Sequence, residues 1–367
     1  MAQHVVMTVN AAWNILNFRR PLLEAMLSDG HRVTVLAPPD ASVEALRMIG
    51  CQFVPLVMDV KGLSPWRDLL LIREFRRHIK ALKPDVVFSF TIKNNIFGAL
   101  AARSLDVRFV PNVTGLGTAF LSGGALQRIA EALYRAAFRR LPVVFFQNED
   151  DRDLFLSRHL TLASQVRVLP GSGIDLKRFA AQPMGNTSGA PVFLMVARLL
   201  RDKGVVEFVD AARKVRAIVP RARFQLLGAL GTENRTAIDA GTIAEWVAEG
   251  VVEYLGHTDD VRPYIEAADC VVLPSYREGA PRTLIEAAAM ARPLIATDVA
   301  GCRSVVDDGV TGFLCKPRSA GSLSASCLRF IALPTQDRVR MGLAGRAKME
   351  REFDHARVVA AYRSIMA

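Results

Sequence analysis

The chain of 367 residues contains no run of about 18 uncharged apolar residues, which argues against a membrane-crossing helix. Its first residues lack the basic-then-apolar order of a signal peptide, so a cytoplasmic location is expected. Cysteine is sparse: Cys51, Cys270, Cys302, Cys315 and Cys327 stand singly with no C-x-x-C pair, which excludes an evident disulfide framework or thiolate metal site. The six histidines are equally dispersed and show no metal-ligand spacing. Asp151-Arg-Asp153 is an acidic pair of the kind some metal-dependent enzymes use. It follows Asn148-Glu149 and precedes an apolar run, so a capped, acid-rich helix start is the simpler reading.

Positive charge is abundant, and it is placed unevenly. The net charge is +11, and residues 1–180 carry 23 Lys and Arg against 15 Asp and Glu. Much of the excess falls on two segments that read as amphipathic helices, Ser64 to Lys83 and Leu126 to Arg140. In the first, Leu69, Ile72, Phe75, Ile79 and Leu82 are read as the apolar stripe, with Arg67, Arg73, Arg76, Arg77, Lys80 and Lys83 as its cations. A solvated face and attraction to an anionic leaflet explain this basic surface equally well. Nucleic-acid binding lacks both interleaved aromatics and a recognisable module.

Short apolar runs alternate with helical patterns along the chain. Strands are predicted at His4–Val9, Arg32–Ala37, Val86–Ser89, Val107–Asn112 and Val143–Gln147, with a loop from Asn10 to Arg19 and a helix over Pro21–Leu27. A polar stretch at 182–189 places a domain boundary near Leu169 to Gly189. Strands recur at Val192–Val196, Arg223–Leu227, Val251–Leu255, Cys270–Leu273 and Leu294–Ala296. This order implies two α/β domains, each with a doubly wound parallel sheet that binds ligands at its carboxyl edge, facing each other across a cleft. The first spans residues 1–170 and the second 171–350. Residues 351–367 are read as a final helix returning to the first domain.

The richest segment is Ser275-Tyr-Arg-Glu278-Gly-Ala-Pro281-Arg-Thr-Leu-Ile-Glu286. A buried strand ends just before it, Gly279 and Pro281 break the strand, and a helix opens. Backbone N–H groups near Arg282, Thr283 and Leu284 then face an anion such as a diphosphate. Glu286, one turn in, suits the two hydroxyls of a ribose, and Glu278 suits those of a second ring. A solvated loop acid and an exposed helix acid are the plain alternative. An Ala-rich helix, however, has no packing need for Glu286. After the strand at 192–196, Arg198 and Lys203 are placed to reach phosphate oxygens, the former as a fork and the latter as a point charge. Neither a P-loop nor G-x-G-x-x-G occurs there, which disfavours a kinase or dinucleotide dehydrogenase.

Together with Gly173-Ile-Asp175, Leu255-Gly256-His257-Thr-Asp-Asp260, Thr297-Asp298-Val-Ala-Gly301 and Asp308-Gly309-Val-Thr-Gly312-Phe313, these residues resemble the retaining family 4 glycosyltransferases of the GT-B fold. The resemblance runs over nearly the whole chain, and the Glu-x7-Glu pair is its specific part. It implies that Arg198 and Lys203 hold the donor diphosphate, Glu286 the ribose, and Glu278 with the turn Gly279, Ala280 and Pro281 the donor sugar, Gly256 and His257 lying near the base. It also implies no cofactor and no metal. In the first domain Trp13, Asn17, Arg19, Thr91-Ile-Lys93-Asn94-Asn95, Asn112-Val-Thr114-Gly115-Leu-Gly117 and Gln147-Asn148 are similar to the branch that builds capsular and lipid-linked oligosaccharides. That branch implies an N-acetylhexosamine from a UDP-sugar, an undecaprenyl-diphosphate-linked acceptor and a peripheral place on the inner face of the cell membrane. Two departures stand out. Asn10-Ala11-Ala12 replaces a common Gly-Gly loop, and Thr114-Gly115 stands where many members have a histidine.

For such chemistry a front-face displacement is expected, in which departing diphosphate charge is stabilised by Arg198, Lys203 and the helix N-terminus. A non-hydrolysing UDP-sugar epimerase would instead turn over donor without acceptor. A non-catalytic sugar-nucleotide-binding membrane scaffold would bind UDP and form no product.

Overall fold

A computed structural model describes residues 1–60, 62, 64–116, 124–185, 191–230, 234 and 236–367. The chain divides into two compact units, Met1–Gly173 with His355–Ala367, and Ile174–Asp354. The first is built on strands β1 (His4–Thr8), β2 (Arg32–Ala37), β3 (Gln52–Pro55), β4 (Val86–Ser89), β5 (Arg108–Val113), β6 (Val144–Phe146) and β7 (Val166–Val168). They form one parallel sheet in the order β3-β2-β1-β4-β5-β6-β7. The second unit carries β8 (Val192–Val196), β9 (Arg223–Leu227), β10 (Glu253–Tyr254), β11 (Cys270–Leu273), β12 (Leu294–Thr297) and β13 (Gly312–Cys315). Its sheet is also parallel, in the order β10-β9-β8-β11-β12-β13.

Both orders reverse direction beside the unit's first strand, at β1/β4 and at β8/β11. In open parallel sheets the loops leaving the carboxyl ends of such a strand pair splay apart and leave room for a ligand. The apolar runs are needed because helices cover both sheet faces. Successive side chains of β1 accordingly enter different cores: Val5 and Met7 join Ile15, Leu23 and Tyr362, whereas Val6 joins Phe75, Phe109 and Phe155. In β8, Phe193 and Met195 pack with Phe208, while Leu194 packs with Val271 and Leu284. The terminal helix His355–Met366 belongs to the first core through Val358, Val359 and Tyr362. No helix among the described residues is long and apolar enough to cross a membrane.

Several local expectations are corrected. The segment Asn10 to Arg19 is not a loop: Ala12–Phe18 is helical, with Ala12 and Ile15 one turn apart and buried. Its start is held where the Trp13 N–H donates to Asp40 Oδ2 at 2.8 Å. Strands β3 and β7 are unanticipated, since they sit at the two sheet edges, are partly exposed, and lack a continuous apolar run. β13 is also unanticipated. In the helix Pro65–Leu82 the buried positions are Leu71, Phe75 and Ile79, spaced by four, and Leu69 lies outside that stripe, exposed. Gly117 and residues 186–189 of the polar stretch lie outside the described residues.

Candidate functional site

At the carboxyl edge of the second sheet, side-chain and backbone contacts join the loops after β8 and β11. Residues Arg201–Lys203 form one 3-10 turn, and Gly204 then adopts φ +77° to open the helix Val205–Ile218. A Cβ on Gly204 would lie 2.1 Å from the Pro274 carbonyl oxygen, so both the backbone angle and the approach require glycine. The Asp202 carbonyl accepts from the Tyr276 N–H at 2.9 Å and from Ser275 Oγ at 3.2 Å. Tyr276 Oη donates to Glu207 Oε1 at 2.6 Å. Burial, with that carboxylate beside it, pushes the Tyr276 hydroxyl up to about 12, so it stays protonated and keeps donating.

These contacts bring Lys203 Nζ within 2.5 Å of Glu278 Oε1, with both side chains mostly shielded from solvent. The Glu278-Gly279 turn is held from its other side by Gly301, whose N–H donates to the Glu278 carbonyl at 3.2 Å. A Cβ on Gly301 would lie 2.4 Å from the Gly279 oxygen. The Thr297-to-Gly301 segment therefore shapes the turn that carries Glu278. Arg198 is exposed and, among the described residues, has no ion-pair partner.

The helix Arg282–Ala289 begins with Pro281 as its N-cap and no side-chain cap. Thr283 Oγ1 donates to the Val196 carbonyl at 2.9 Å, which pins the helix start to the end of β8. Of the three N–H groups expected to face an anion, that of Leu284 already donates to the Pro281 carbonyl at 3.0 Å, because the first turn closes on it. Glu286 is 8% exposed, unusually buried for a carboxylate, and accepts from Arg282 Nε at 2.6 Å. Burial raises its carboxyl above the ordinary value, with the Arg282 charge opposing the shift. Gly256, at φ +78°, accepts from the Gly228 N–H at 2.8 Å, and His257 next to it is exposed. Asp260 is pulled down to about 2 by its hydrogen bonds from Arg262.

The first sheet has its own carboxyl-edge cluster at β1/β4. Asn94 opens a short π-helical turn, Asn94–Gly98, and is fully buried. Its Nδ2 donates to Thr8 Oγ1 at 2.8 Å, and its Oδ1 accepts from Thr91 Oγ1 at 2.7 Å. Asn94 thus holds the loop together from inside. Asn95 Nδ2 donates to the Asn112 carbonyl at 2.9 Å, and Thr114 Oγ1 to the Phe90 carbonyl at 3.0 Å. Gly115 follows at φ +150°. Arg19 is buried with its guanidinium 4.6 Å from the centre of the Phe90 ring. Lys93 Nζ is held by Asp68 Oδ1 at 2.8 Å. Trp13 and Asn17 occupy the exposed side of their helix, and Asn17 Nδ2 donates to the Trp13 carbonyl at 2.9 Å. Gln147 is buried, and Asn148 caps the helix Glu149–Ser157 by accepting from the Asp151 N–H at 2.8 Å. That is the capped start read from Asp151-Arg-Asp153.

Sequence reasoning passed over Asp202, Glu207 and Tyr276, which tie the loops after β8 and β11 together, and Asp68, which holds Lys93. Tyr276 stood two residues from Glu278 without a pattern to mark it. Asp68 carried no signal at all, since its partner lies on another element.

Residues 17–171 match the family described as glycosyl transferase 4-like domain, and residues 190–332 match glycosyl transferases group 1. The chain is 28% identical over 359 residues to the N,N'-diacetylbacillosaminyl-diphospho-undecaprenol alpha-1,3-N-acetylgalactosaminyltransferase of Campylobacter jejuni, covering 93% of this chain and 92% of that protein. It is 26% identical over 280 residues to the Escherichia coli UDP-Gal:alpha-D-GlcNAc-diphosphoundecaprenol alpha-1,3-galactosyltransferase, covering 72% of this chain and 68% of that one. Among solved structures it is similar to Anabaena HepE in complex with UDP and glucose, with a TM-score of 0.80 at 18% identity and 99% of each chain covered. Sucrose-phosphate synthase from Thermosynechococcus elongatus gives 0.78 at 20% identity over 99% of each chain. The likeness to these structures is one of fold: two parallel-sheet α/β units of the GT-B class.

Proposed function

Because the chain belongs to the group 1 and 4-like glycosyltransferases, we propose that it moves an N-acetylhexosamine from a UDP-sugar to a membrane lipid-diphosphate-linked saccharide, with retention, in surface glycan assembly. The second unit takes the donor. Lys203 and Arg198 meet the diphosphate together with the N-terminus of the helix Arg282–Ala289, Glu286 takes the ribose, and Glu278 with the Gly279–Pro281 turn takes the sugar. The observation that carries this reading is the 2.5 Å approach of Lys203 to Glu278: a cation suited to phosphate oxygens and a carboxylate suited to sugar hydroxyls share one point of the sheet edge. Undecaprenol-linked acceptors in the names of two relatives support the acceptor class.

In the transfer, the bond between the anomeric carbon and the diphosphate oxygen breaks, and the acceptor hydroxyl oxygen bonds to the same face. The hydroxyl proton passes to the departing diphosphate. Cations fixed beside that oxygen stabilise the charge as it develops, with no reorganisation needed at the moment of reaction. The first unit presents the acceptor side, with Arg19, Lys93, Thr114 and Gly115 at the β1/β4 edge and Trp13 and Asn17 on the adjoining helix. Its basic excess and the proposed lipid-linked acceptor both support a peripheral position on the anionic inner face of the cell membrane.

A donor screen tests the assignment by measuring UDP or GDP release and product with each nucleotide sugar and a short lipid-diphosphate saccharide. Release that requires both a UDP-N-acetylhexosamine and the acceptor is expected. Conversion of donor without acceptor would instead mark an epimerase, and UDP binding without any product a scaffold.

A further inference from the structure

The helix Pro65–Leu82 has two apolar surfaces, and the fold uses one. Leu71, Phe75 and Ile79 are buried against the first sheet. At 100° per residue the opposite side carries Trp66, Leu69 and Leu70 in the first two turns, followed by Arg73, Arg77 and Lys80. Trp66 is 66% exposed, Leu69 54% and Leu70 42%, an unusual grouping of large apolar side chains on one exposed turn. Trp66, Leu69 and Leu70 share a shallow depression with Arg73 and Arg76. Apolar side chains at one end and arginines beyond them match a bilayer interface, where tryptophan sits at headgroup depth and cations meet lipid phosphates.

Resting on the proposed lipid-linked acceptor, we propose that this outer face docks the protein on an anionic bilayer, and that the Asp68–Lys93 ion pair couples the docked helix to the acceptor edge. Asp68 lies on the inward side of the same helix, 2.8 Å from Lys93, and Lys93 directly precedes the Asn94–Gly98 turn against which the helix packs. The lipid that anchors the acceptor and the lipid that meets Trp66 then lie in one leaflet. Charge complementarity selects the occupant: a basic, amphiphilic helix face suits acidic headgroups, whose negative surface potential attracts each Lys or Arg near it.

The full chain is sedimented with vesicles of phosphatidylcholine alone and of phosphatidylcholine with phosphatidylglycerol, at low and high salt. Binding to the anionic vesicles only is expected, weakened by salt. Trp66→Ser with Leu69→Ser and Leu70→Ser, all solvent-exposed positions, abolishes it, and Arg73→Gln with Arg76→Gln weakens it on the order of tenfold. Both variants keep the parent's transfer rate with a short, water-soluble lipid-diphosphate acceptor and lose at least about tenfold with the acceptor embedded in vesicles. Asp68→Asn keeps vesicle binding and raises the acceptor KM with kcat unchanged. Parent protein that ignores anionic vesicles, variants that bind them like the parent, or a self-associated parent that the serine variant dissociates would each overturn the proposal. Absence of transfer to the soluble acceptor by the parent would overturn the enzymatic reading and leave the vesicle result to stand separately.

Discussion

Lys203 and Glu278 stand 75 residues apart in the chain and 2.5 Å apart in the fold. In the proposed transfer, their meeting concentrates opposite charges where a phosphate would leave and a sugar ring would turn cationic. Replacing Lys203 by Ala is therefore expected to lower kcat about 100-fold or more, with Glu278→Gln comparable, measured as acceptor-dependent UDP release. An unchanged kcat in Lys203→Ala would remove it from the diphosphate. Glu286 is a different kind of carboxylate. Burial raises its value above 4.5, so folding favours the protonated form. That contribution is complete below about 4.5 and is lost as pH rises through the folded value. Glu286→Gln escapes the loss, so its melting temperature relative to the parent is expected to be higher at pH 7 than at pH 4, while UDP affinity falls by tenfold or more. A variant that melts lower at pH 7 and still binds UDP normally would make Glu286 a structural partner of Arg282 and nothing else.

Elements differ in how plainly the sequence announces them. Central strands such as β8 and β11 are unbroken apolar runs because both faces are covered, and the runs mark their ends to within a residue. The edge strands β3 and β7 have solvent on part of their surface, so their residues follow no such rule. The helix Ala12–Phe18 was hidden for a related reason, as only Ala12 and Ile15 of its seven residues are buried. Arg292 shows what escapes pattern reading altogether. It is wholly buried and donates to the carbonyls of Ile265, Glu266, Met290, Gln182 and Pro183, tying the stretch before β8 to the loop before β12. Arg292→Met strands these buried acceptors, each lost bond costing about 1–3 kcal/mol. A loss of at least about 3 kcal/mol in denaturant unfolding is expected, and a loss below 1 kcal/mol would show that water replaces the guanidinium.

Across the whole molecule, residues 174–354 interrupt the first unit, whose last segment returns as the helix His355–Met366. Tyr362 packs edge-on against Phe88 with ring centres 4.7 Å apart, lies 4.9 Å from the Phe145 ring, and accepts from Asn112 Nδ2 at 3.0 Å. Deleting residues 355–367 is expected to unfold the first unit while UDP binding by the second survives, and Tyr362→Ala to cost about 3–5 kcal/mol. Two-phase thermal unfolding with and without UDP checks this, and a truncated chain with the parent's profile would refute it. Fold class, the repeated α/β order and the Glu278–Glu286 turn that opens a helix after β11 were all present in the sequence, because burial periodicity and turn chemistry are local properties of the chain. Tertiary structure alone decided that Lys203 faces Glu278, that Asp68 holds Lys93, that Asn94 points inward and that Trp66, Leu69 and Leu70 point out. Those outcomes depend on which elements the sheets bring side by side, and no local pattern encodes the partner of a side chain 25 or 75 residues away.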